Sequence, residues 1–578
     1  MRKIVNYLIV FLSSVSFWFM LSSAGAGNII RNCIIGSISA VLLIIMSKKI
    51  RIEKSIINNI CSVVICVFFS FILIKKCFAA WQFFSKLKTL ESAIGVSENS
   101  LLMLFCIILA LFSCISVFVL ARMIFSIVIS AIDFSSLLCK IKTLFAIKKL
   151  LKKTSIMLVC LVLSGVIGTL LMCGVYSLPM EKIEENVTKS AHELKNESTY
   201  HSLFSWCTSQ LDNFTDSIML LESSYNKSDP IINKAMLNYR GMVEDPEYID
   251  AHDTLIKHYV EEKEYTNTTQ YPRYWHGYLL IVKPLLLFFD YQTIRILNLC
   301  FQFAVVIFIC VLMKIKGLTH AIIPYIISYL LLMPVALAFS LQFSACFFVF
   351  SAGSIIILLL KNRLEKYLVY IFLLLGIATS FFDFLSYPIV TFGIPAILVL
   401  AILSQLDLES KLVILIKTSL LWVIGYLGMW ASKWIIGSIL TGENIILDGL
   451  SAVEKRTVSQ QGISYVPIDR ENAIATNIRA FFNTPFSVCF IIFTVILVVS
   501  IVLLLWKRKN KINHLEFIKS IRIIIPYVLI CSLPFAWYAV AVNHSCIHYW
   551  FTNKNLIITV FGSMILLEEM KSSIRKME

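Results

Sequence analysis

The stretch TPFSVCFIIFTVILVVSIVLLLW, residues 484–506, contains no charged residue and is followed at once by Lys507-Arg508-Lys509. A helix needs about 20 apolar residues to cross a hydrocarbon layer about 30 Å thick, so this stretch is long enough to span a membrane. Lipid offers no hydrogen-bond partner to backbone amides, and a spanning segment must satisfy them internally. The stretch therefore predicts a transmembrane α-helix.

Apolar runs of this kind recur along the whole chain and define its class. Of the 578 residues, 58% are hydrophobic and 15% are charged, whereas soluble domains have about 45–50% apolar and about 25% charged residues. The predicted spans are 4–21, 29–47, 57–74, 100–121, 154–177, 295–313, 318–340, 343–360, 367–382, 388–404, 412–434, 484–506, 522–541 and 553–569. The sequence thus predicts an all-α, polytopic helical membrane protein with about 13–14 transmembrane helices.

The distribution of charge predicts how these spans are oriented. Residues 179–277 form a polar loop with 17 of the 35 acidic and 9 of the 51 basic residues, so its net charge is −8 and that of the remainder is +24. The main basic clusters are Lys48, Lys49, Arg51 and Lys54; Lys140, Lys142, Lys148, Lys149, Lys152 and Lys153; Lys314 and Lys316; Lys361, Arg363 and Lys366; Lys507, Arg508 and Lys509; and Lys571, Arg575 and Lys576. They lie at span ends rather than on one basic surface, which argues against a nucleic-acid partner.

Basic clusters in short loops mark the cytoplasmic side of a membrane. Numbering the spans from a cytoplasmic Met1 places all of these clusters inside, and only Lys75 and Lys76 fall on the other side. We therefore predict a multi-pass protein of the plasma membrane, with both termini cytoplasmic and the 179–277 loop extracytoplasmic.

The spans and loops divide the chain into three predicted regions. Residues 1–153 hold four spans and a basic amphipathic stretch at the cytoplasmic surface; residues 154–294 hold one span, the 179–277 loop domain and an interfacial helix at 279–289; residues 295–578 hold about nine spans and a second outer loop at about 435–483. The first outer loop is predicted to be mostly helical, with helices over 181–195, 212–226 and 253–264.

Acidic residues on the predicted outer side are candidates for proton transfer. Asp212 and Asp216 are four residues apart, which places both carboxylates on one helix face, where like charges repel by roughly a few tenths of a kcal/mol. A bound cation or a need for a proton acceptor would justify the pair; the alternative is a solvated helix face. Asp383 is predicted at the outer end of a span, where a charge marks function more often than not. Its alternative is a helix-end carboxylate.

The segment YPRYWHGY, residues 271–278, returns the chain from the loop to the membrane. Its tyrosines and tryptophan are typical of an anchor at the lipid headgroups. An anchor does not explain Arg273 and His276 within the same segment, and these two residues are candidates for substrate or lipid-phosphate binding. The anchor and the binding site remain alternatives.

The segment NHSCIHYW, residues 543–550, precedes the last span. His544 and His548 share one face of a helix, but two histidines without a following glutamate are poor evidence for zinc, and no metal ligand is assigned. With Asn543, they fit better as hydrogen-bond donors to a lipid phosphate. The outer loop at 435–483 supplies further cations, among them Arg470.

Acids, cations and aromatics at a membrane boundary suit a lipid substrate whose phosphate lies at that boundary. Arginine and lysine would hold the phosphate, a carboxylate would take a proton from an acceptor hydroxyl, and aromatic rings would stack on sugar rings and the prenyl chain. The sequence contains no nucleotide-binding loop. The energy for transfer would therefore already be present in the lipid-linked substrate.

On these residues the sequence resembles the GT-C glycosyltransferases, polytopic enzymes that take sugars from polyprenyl-phosphate donors. The resemblance covers residues 154–578 and rests on the many spans, the acidic pair in a large outer loop, the later Asp383, and the motif Asn543-His544-Ser545 with His548. It implies that Asp212 or Asp216 is the catalytic base, and Asp383 completes the candidate catalytic set. The implied partners are a polyprenyl-phosphate-linked sugar, a cell-envelope glycan or glycolipid acceptor, and membrane lipids.

Two other functions remain open from the sequence: a flippase or transporter of lipid-linked sugars, and a polysaccharide polymerase. A transporter would require acids or cations buried in the middle of spans, whereas the charged residues cluster at span ends. A polymerase would use two lipid-linked glycans and has the same general layout. The sequence assigns no cofactor and leaves a divalent metal ion open.

Overall fold

The computed structural model describes residues 132–144, 147–244, 250–457, 468–507 and 514–576. The chain divides into two compact units, Met1–Cys139 and Lys140–Glu578. The first four predicted spans, and with them most of the predicted region 1–153, lie outside the described residues. Except for residues 132–139, the described residues belong to the second unit.

The described elements are almost entirely helical. Up to residue 286 they are α1 (Phe134–Leu144), α2 (Ile147–Tyr176), α3 (Glu181–Leu194), α4 (Asn213–Ser223), α5 (Ile231–Leu237), β1 (Arg240–Met242), α6 (Ala251–Tyr259), β2 (Asn267–Thr269) and α7 (Leu279–Leu286). From residue 291 they are α8 (Tyr291–Ile315), α9 (Ile322–Leu331), α10 (Pro334–Phe339), α11 (Leu341–Leu359), α12 (Leu364–Phe382), α13 (Val390–Ile402), α14 (Leu408–Thr441), α15 (Ile445–Thr457), α16 (Arg470–Phe482), α17 (Ser487–Lys507), α18 (His514–Cys531), α19 (Leu533–Val540), α20 (Val542–Ile547), α21 (Tyr549–Thr552) and α22 (Ile557–Lys576). Short 3-10 turns lie at Cys207–Ser209, Thr319–Ala321, Lys361–Arg363 and Asn553–Leu556.

Membrane-length helices account for the apolar runs of the sequence. Eight helical stretches in the described ranges are long and apolar enough to cross a membrane: Met157–Tyr176, Tyr291–Ile315, Leu341–Leu359, Lys361–Phe382, Leu408–Thr441, Ser487–Leu504, Arg522–Val540 and Tyr549–Arg575. Two shorter apolar stretches are Thr319–Leu331 and Val390–Ile402. Each predicted span after residue 153 coincides with one of these ten, which confirms the predicted all-α polytopic fold.

One predicted span is interrupted. The prediction placed a single helix over 318–340, whereas the chain breaks between α9 and α10 at Met333, which has a φ of 57°. Pro334 follows, and a proline disfavours the α conformation of the residue before it while fitting the first turn of a new helix. The chain therefore completes this passage as two short helices.

The connections between helices define two ends of the bundle. Short turns join α11 to α12 and α13 to α14, and such turns make neighbouring helices antiparallel. We call the end that carries residues 177–290, between α2 and α8, the loop end. At the opposite end, ion pairs join Lys140 to Asp407 at 2.7 Å and Arg522 to Glu409 at 2.6 Å.

The 179–277 loop is a folded layer of helices, as predicted for its first two helices. The third predicted helix, over 253–264, instead spans Ala251–Tyr259. Asp250 caps it by accepting the backbone N–H of Asp253 at 2.9 Å, and an Asp at this position satisfies one of the free N–H groups of the first turn. The antiparallel pair of β1 and β2 was not predicted, because strands of three residues are too short to show a periodicity.

Two glycines allow α12 and α14 to approach closely. A Cβ atom on Gly376 would lie 2.1 Å from the carbonyl oxygen of Trp422, and one on Gly425 would lie 2.2 Å from that of Leu373. Small residues at such crossings let helix backbones meet in a membrane. The crossing fixes α14, which carries aromatic residues of the candidate site.

We expect Gly376→Ala to destabilise the folded protein by roughly 1–3 kcal/mol, because the added methyl group forces backbone movement in a packed core. The measurement is the temperature at which the detergent-solubilised protein loses its monodisperse gel-filtration peak. Gly174→Ala is the matched control, since a Cβ there would meet nothing within 4 Å. Equal midpoints for the two variants would contradict this account of the crossing.

Candidate functional site

Asp212 is a buried carboxylate at the start of α4, and 3% of its surface is exposed. Its Oδ1 accepts the backbone N–H of Thr215 at 3.1 Å, and its own N–H donates to Ser340 Oγ at 2.9 Å. The indole of Trp550 lies near enough to stabilise the carboxylate's charge, although no hydrogen bond joins them. Burial raises the pKa of Asp212 to about 7, and the negative charge of Asp216 adds to this effect. The carboxylate therefore exchanges its proton near neutral pH.

Asp216 lies one helical turn further along α4 and is fully buried. It accepts the hydroxyl proton of Tyr291 and the backbone N–H groups of Leu341 at 2.9 Å and Gln342 at 3.2 Å. Burial raises the pKa of Asp216 to about 6, and these donors oppose the rise. Both of its oxygens are engaged at the N-terminus of α11, so the predicted acidic pair has two different environments. The solvated helix face weighed as the alternative for this pair is not what the structure has.

Arg295 of α8 forms hydrogen bonds with the part of the loop that leads into α4. Its guanidinium donates to both carboxylate oxygens of Glu197 at 2.8 and 3.1 Å, to Asn213 Oδ1 at 2.9 Å, and to the carbonyl oxygen of Phe339 at 2.8 Å. The side chain is 1% exposed. These four hydrogen bonds connect α8 to Glu197, to Asn213 at the start of α4 and to Phe339 at the end of α10. Asp212 lies next to Asn213 in the chain and is held in place by the same contacts.

The side chains of the segment Tyr271–Tyr278 contact other residues of the protein. Arg273 pairs with Asp448 at 3.3 Å and lies over the ring of Tyr271 at 4.4 Å. Trp275 is fully buried and donates its indole N–H to the carbonyl oxygen of Met429 at 2.7 Å. The segment therefore tethers the loop to α14 and α15.

His276 is completely enclosed by protein groups. Its Nδ1 lies 2.8 Å from Glu222 Oε2, and its Nε2 lies 2.7 Å from the carbonyl oxygen of Tyr271. The hydroxyl of Tyr278 donates to the same Glu222 oxygen at 2.5 Å. The Tyr278 hydroxyl also lies 2.8 Å from His276 Nδ1, so both ring nitrogens are engaged by protein groups. Burial lowers the pKa of His276, and Glu222 opposes this.

Asp383 ends α12 and holds the turn that follows. It accepts the backbone N–H of Ser386 at 3.0 Å and also the Ser386 hydroxyl proton. Burial raises the pKa of Asp383 to about 6. The next residue, Phe384, places its ring against Tyr274 at 5.2 Å and His276 at 4.8 Å. Asp383 thus shapes the place where the 271–278 segment meets the bundle.

Arg456, at the end of α15, contacts His544 of α20. An Arg456 N–H donates to His544 Nδ1 at 2.7 Å, so this nitrogen carries no proton, and Nε2–H donates to the carbonyl oxygen of Leu385 at 2.7 Å. Burial and the charge of Arg456 hold the pKa of His544 well below its usual range. They likewise lower the pKa of His548 to about 3. Both histidines are neutral at physiological pH.

Aromatic residues with buried polar atoms that lack a hydrogen-bond partner in the described ranges lie near Arg456. Tyr274 has its ring centroid 6.0 Å from the guanidinium and 5.9 Å from the Trp430 ring, which is 5.3 Å from the Tyr426 ring. The hydroxyl of Tyr426 and the indole N–H of Trp430 are buried without a partner in the described part of the chain. We call Arg456, His544, Tyr274, Tyr426 and Trp430 the arginine–aromatic cluster. It offers donors and flat apolar faces to a ligand with acceptor oxygens.

Ring contacts join this cluster to Asp212. The Trp550 ring, beside Asp212, is 5.2 Å from the His548 ring, which is 5.0 Å from the His544 ring. His548 Nδ1 and Trp550 Nε1 are both buried and have no hydrogen-bond partner among the described residues. The structure therefore connects the predicted residues Asp212, His544 and His548. Asp383 is connected to them through Leu385, two residues further along the chain, whose carbonyl oxygen accepts from His544.

Two other predicted residues lie at the rim of this site. Arg470 donates to the carbonyl oxygen of Ala539 at 3.2 Å, and half-buried Asn543 donates to the carbonyl oxygen of Lys455 at 3.0 Å. In the described ranges no group of three or more His, Cys, Asp or Glu side chains is arranged to hold a metal ion. The sequence assigns no metal ligand and leaves a divalent metal ion open, and this question stays open.

Sequence reasoning missed the most informative aromatic residues. Trp422, Tyr426, Trp430 and Trp434 recur at every fourth position of α14, and their rings stack in succession at 4.9, 5.3 and 5.9 Å. Such a row is usual in a helix core, so the pattern alone carried no signal. Arg456 counted only as one cation of the second outer loop.

Comparison with known proteins finds no match for this chain among protein-family models, curated proteins or solved structures. The fold and the site geometry therefore carry the functional argument.

Proposed function

We propose that this protein is a membrane glycosyltransferase that moves a sugar from a polyprenyl-phosphate donor to a cell-envelope glycan or glycolipid. One observation carries the proposal. At the loop end of a membrane bundle, a buried carboxylate with a pKa of about 7 is linked through Trp550, His548 and His544 to Arg456. The aromatic residues beside Arg456 carry buried polar atoms that have no partner among the described residues. A general base and an anion site linked in this way suit the displacement of a lipid phosphate.

In the proposed reaction Asp212 is the general base. The hydroxyl oxygen of the acceptor forms a bond to the anomeric carbon of the sugar, while the bond from that carbon to the phosphate oxygen breaks. The bonding electrons leave with polyprenyl phosphate, and the acceptor's proton passes to Asp212. A base is most effective when its pKa lies near the working pH. Asp216 and Asp383 each accept backbone N–H groups on both carboxylate oxygens. Asp212 is preferred because its backbone hydrogen bond, from Thr215, engages Oδ1 alone.

In this proposal the arginine–aromatic cluster binds the donor. The guanidinium N–H groups of Arg456 that do not contact His544 would hold the phosphate, since arginine forms charge-assisted bonds to phosphate oxygens. Tyr274 and Trp430 would stack on the sugar ring, with the Tyr426 hydroxyl and the Trp430 indole N–H as donors to its oxygens. Neutral His544 orients Arg456 and adds no charge of its own.

We propose further that the loop end faces the outside of the cell and that both termini are cytoplasmic. Five basic residues lie at the opposite end, in the last turn of α8, in the first turn of α12 or in the turns next to these helices: Lys314, Lys316, Lys361, Arg363 and Lys366. Basic residues in short loops favour the cytoplasmic side. The location in the plasma membrane is part of this proposal.

The flippase alternative has less support from the buried charges. Lys433 lies within the 34-residue helix α14, but its Nζ donates to Asn238 Oδ1 at 3.0 Å and to the carbonyl oxygen of Ala235 at 3.2 Å. Both acceptors belong to the loop. Lys433 and Arg295 are thus bound at the loop end, and they do not mark a path through the middle of the bundle.

The test uses membranes that carry the protein, a polyprenyl phosphate with a labelled sugar, and a mixture of envelope glycans and glycolipids as acceptors. We expect Arg456→Gln to lower kcat/KM for the donor by about 10- to 100-fold, which corresponds to the loss of a charge-assisted hydrogen bond. Lys455→Gln, an exposed neighbour, should behave like the wild type. Equal transfer by the wild type and Arg456→Gln would exclude the cluster as the donor site.

The pKa of Asp212 predicts the pH dependence of transfer. A base acts in its deprotonated form, so kcat/KM should fall about tenfold per pH unit below about 7 and level off above it; the bend follows the pKa of about 7. The measurement is initial transfer rate against pH at low donor concentration. A profile that stays flat from pH 5 to 8 would contradict the assignment of Asp212 as the base.

A further inference from the structure

Lys554 is a buried ammonium group that the proposed reaction does not use. It lies in the 3-10 turn Asn553–Leu556 immediately before α22, and 1% of its surface is exposed. Its Nζ has no hydrogen-bond partner among the described residues. Among the described residues it lies over the ring of Phe343, whose centroid is 4.8 Å away.

Other unpartnered polar atoms belong to residues next to Lys554 and Phe343. They are Asn553 Oδ1, both side-chain polar atoms of Asn555, and Gln342 Oε1, all buried and without partners in the described ranges. Cys207 of the loop is close as well. Burial raises the pKa of its thiol, and the positive charge of Lys554 opposes that rise. The lysine therefore lies where the loop, α11 and the turn before α22 meet.

This arrangement is unfavourable unless an anion joins it. A charged group that is buried without partners loses its solvation and gains no hydrogen bond in return. The turn also lies at the N-terminus of α22, where the helix dipole already supplies positive potential. A phosphate oxygen at Lys554 would compensate for the lost solvation and for the positive potential of the helix. The other oxygens of the phosphate could accept N–H groups of the Asn555 side-chain amide.

Lys554 and the arginine–aromatic cluster are two separate cation sites. Both involve the short segment 544–554, which contributes His544 to the cluster. Arg456 contacts His544 near the start of this segment, at 2.7 Å, and Lys554 lies ten residues further on. Between them lies Trp550, the neighbour of Asp212. The segment that takes part in both cation sites thus also carries Trp550, the aromatic neighbour of the candidate base.

From this geometry we infer that Lys554, with the side-chain amide N–H of Asn555, binds a second phosphate, carried by the acceptor. The inference rests on the proposed function and makes it more specific. The donor phosphate binds at Arg456, the acceptor brings its own phosphate to Lys554, and the acceptor hydroxyl is presented to Asp212. The acceptor class is thus an anionic, phosphate-bearing glycan or a second lipid phosphate, and a neutral glycolipid is excluded.

Binding can be measured without transfer. We would titrate the purified protein in nanodiscs of neutral lipid with polyprenyl phosphate, and separately with glycerol phosphate, by calorimetry. We expect two binding events per protein in total. Lys554→Met should weaken one of them by about 10- to 100-fold, and Arg456→Met should weaken the other, as expected for the loss of a charge-assisted hydrogen bond. Lys554→Arg should retain both.

The two probes distinguish the source of the second phosphate. If polyprenyl phosphate binds twice, the acceptor is lipid-linked; if the second event occurs only with glycerol phosphate, the phosphate belongs to the glycan. Lys361→Met, at the opposite end, is the control for removal of a half-buried lysine and should bind as the wild type does. One binding event in the wild type, unchanged in Lys554→Met, would overturn the inference. Because no sugar is transferred in this experiment, its outcome is independent of whether the protein is a transferase.

Discussion

Asp212→Asn is expected to reduce sugar transfer by at least about 100-fold, because a positioned general base contributes about 10²- to 10⁴-fold to such a reaction. The amide has nearly the same shape and can still accept the N–H of Thr215, so the start of α4 should remain intact. Binding of the donor should be unchanged, since the phosphate is bound by Arg456. The measurement is kcat with saturating donor and acceptor, together with donor affinity.

The matched control for Asp212→Asn is Asp290→Asn. Asp290 caps α8 by accepting the N–H of Thr293 at 2.8 Å, just as Asp212 caps α4, but it lies outside the proposed reaction. The control should keep the wild-type rate, because Asn is about as good an N-cap as Asp. A comparable loss in both variants would attribute the effect to helix capping. Full activity of Asp212→Asn, Asp216→Asn and Asp383→Asn together would refute the catalytic assignment.

Arg295→Met should be strongly destabilising, at about 2–3 kcal/mol, because hydrogen bonds to a charged group are lost. The Arg295 side chain is 1% exposed but that of Glu197 is 23% exposed, so the loss should be smaller than for an ion pair with both partners buried. Here Glu197 would lose its guanidinium partner, and Asn213 and the carbonyl oxygen of Phe339 would each lose a donor. The measurement compares the midpoint of thermal unfolding of the detergent-solubilised wild type with that of Arg295→Met.

Arg479→Met is the control for Arg295→Met, because Arg479 is exposed on α16. Exposed substitutions of this kind change stability by about 0.5 kcal/mol or less. A double variant, Arg295→Met with Glu197→Gln, should recover part of the lost stability, since it leaves no unpaired charge. If Arg295→Met unfolds at the wild-type temperature, the guanidinium does not hold the loop to the bundle.

The elements were predictable from the sequence because their signals are local. Apolar runs such as 484–506 match the hydrocarbon thickness, and the polar helices at 181–194 and 213–223 show helical periodicity within the loop. The break at Met333 was missed, because the apolar character continues across it and only Pro334 marks it.

The roles of the site residues were less predictable because they depend on distant partners. Asp212 and Asp216 look alike in the sequence, yet Asp216 caps a helix 125 residues away, through Leu341. His276 was predicted at the lipid phosphate, whereas its partner Glu222 and a backbone carbonyl enclose it. Lys554 gave no signal, since nothing in the sequence shows that an ammonium group is buried without an acceptor.

The most direct test of the central proposal follows both halves of the donor at once. Purified protein in sealed vesicles would receive polyprenyl phosphate with one label in the sugar and another in the prenyl chain, together with a phosphate-bearing acceptor. We predict that the sugar label moves to the acceptor in amounts equal to the free polyprenyl phosphate formed. If both labels stay on one lipid that crosses the bilayer, the protein is a flippase and the proposed transferase function is wrong.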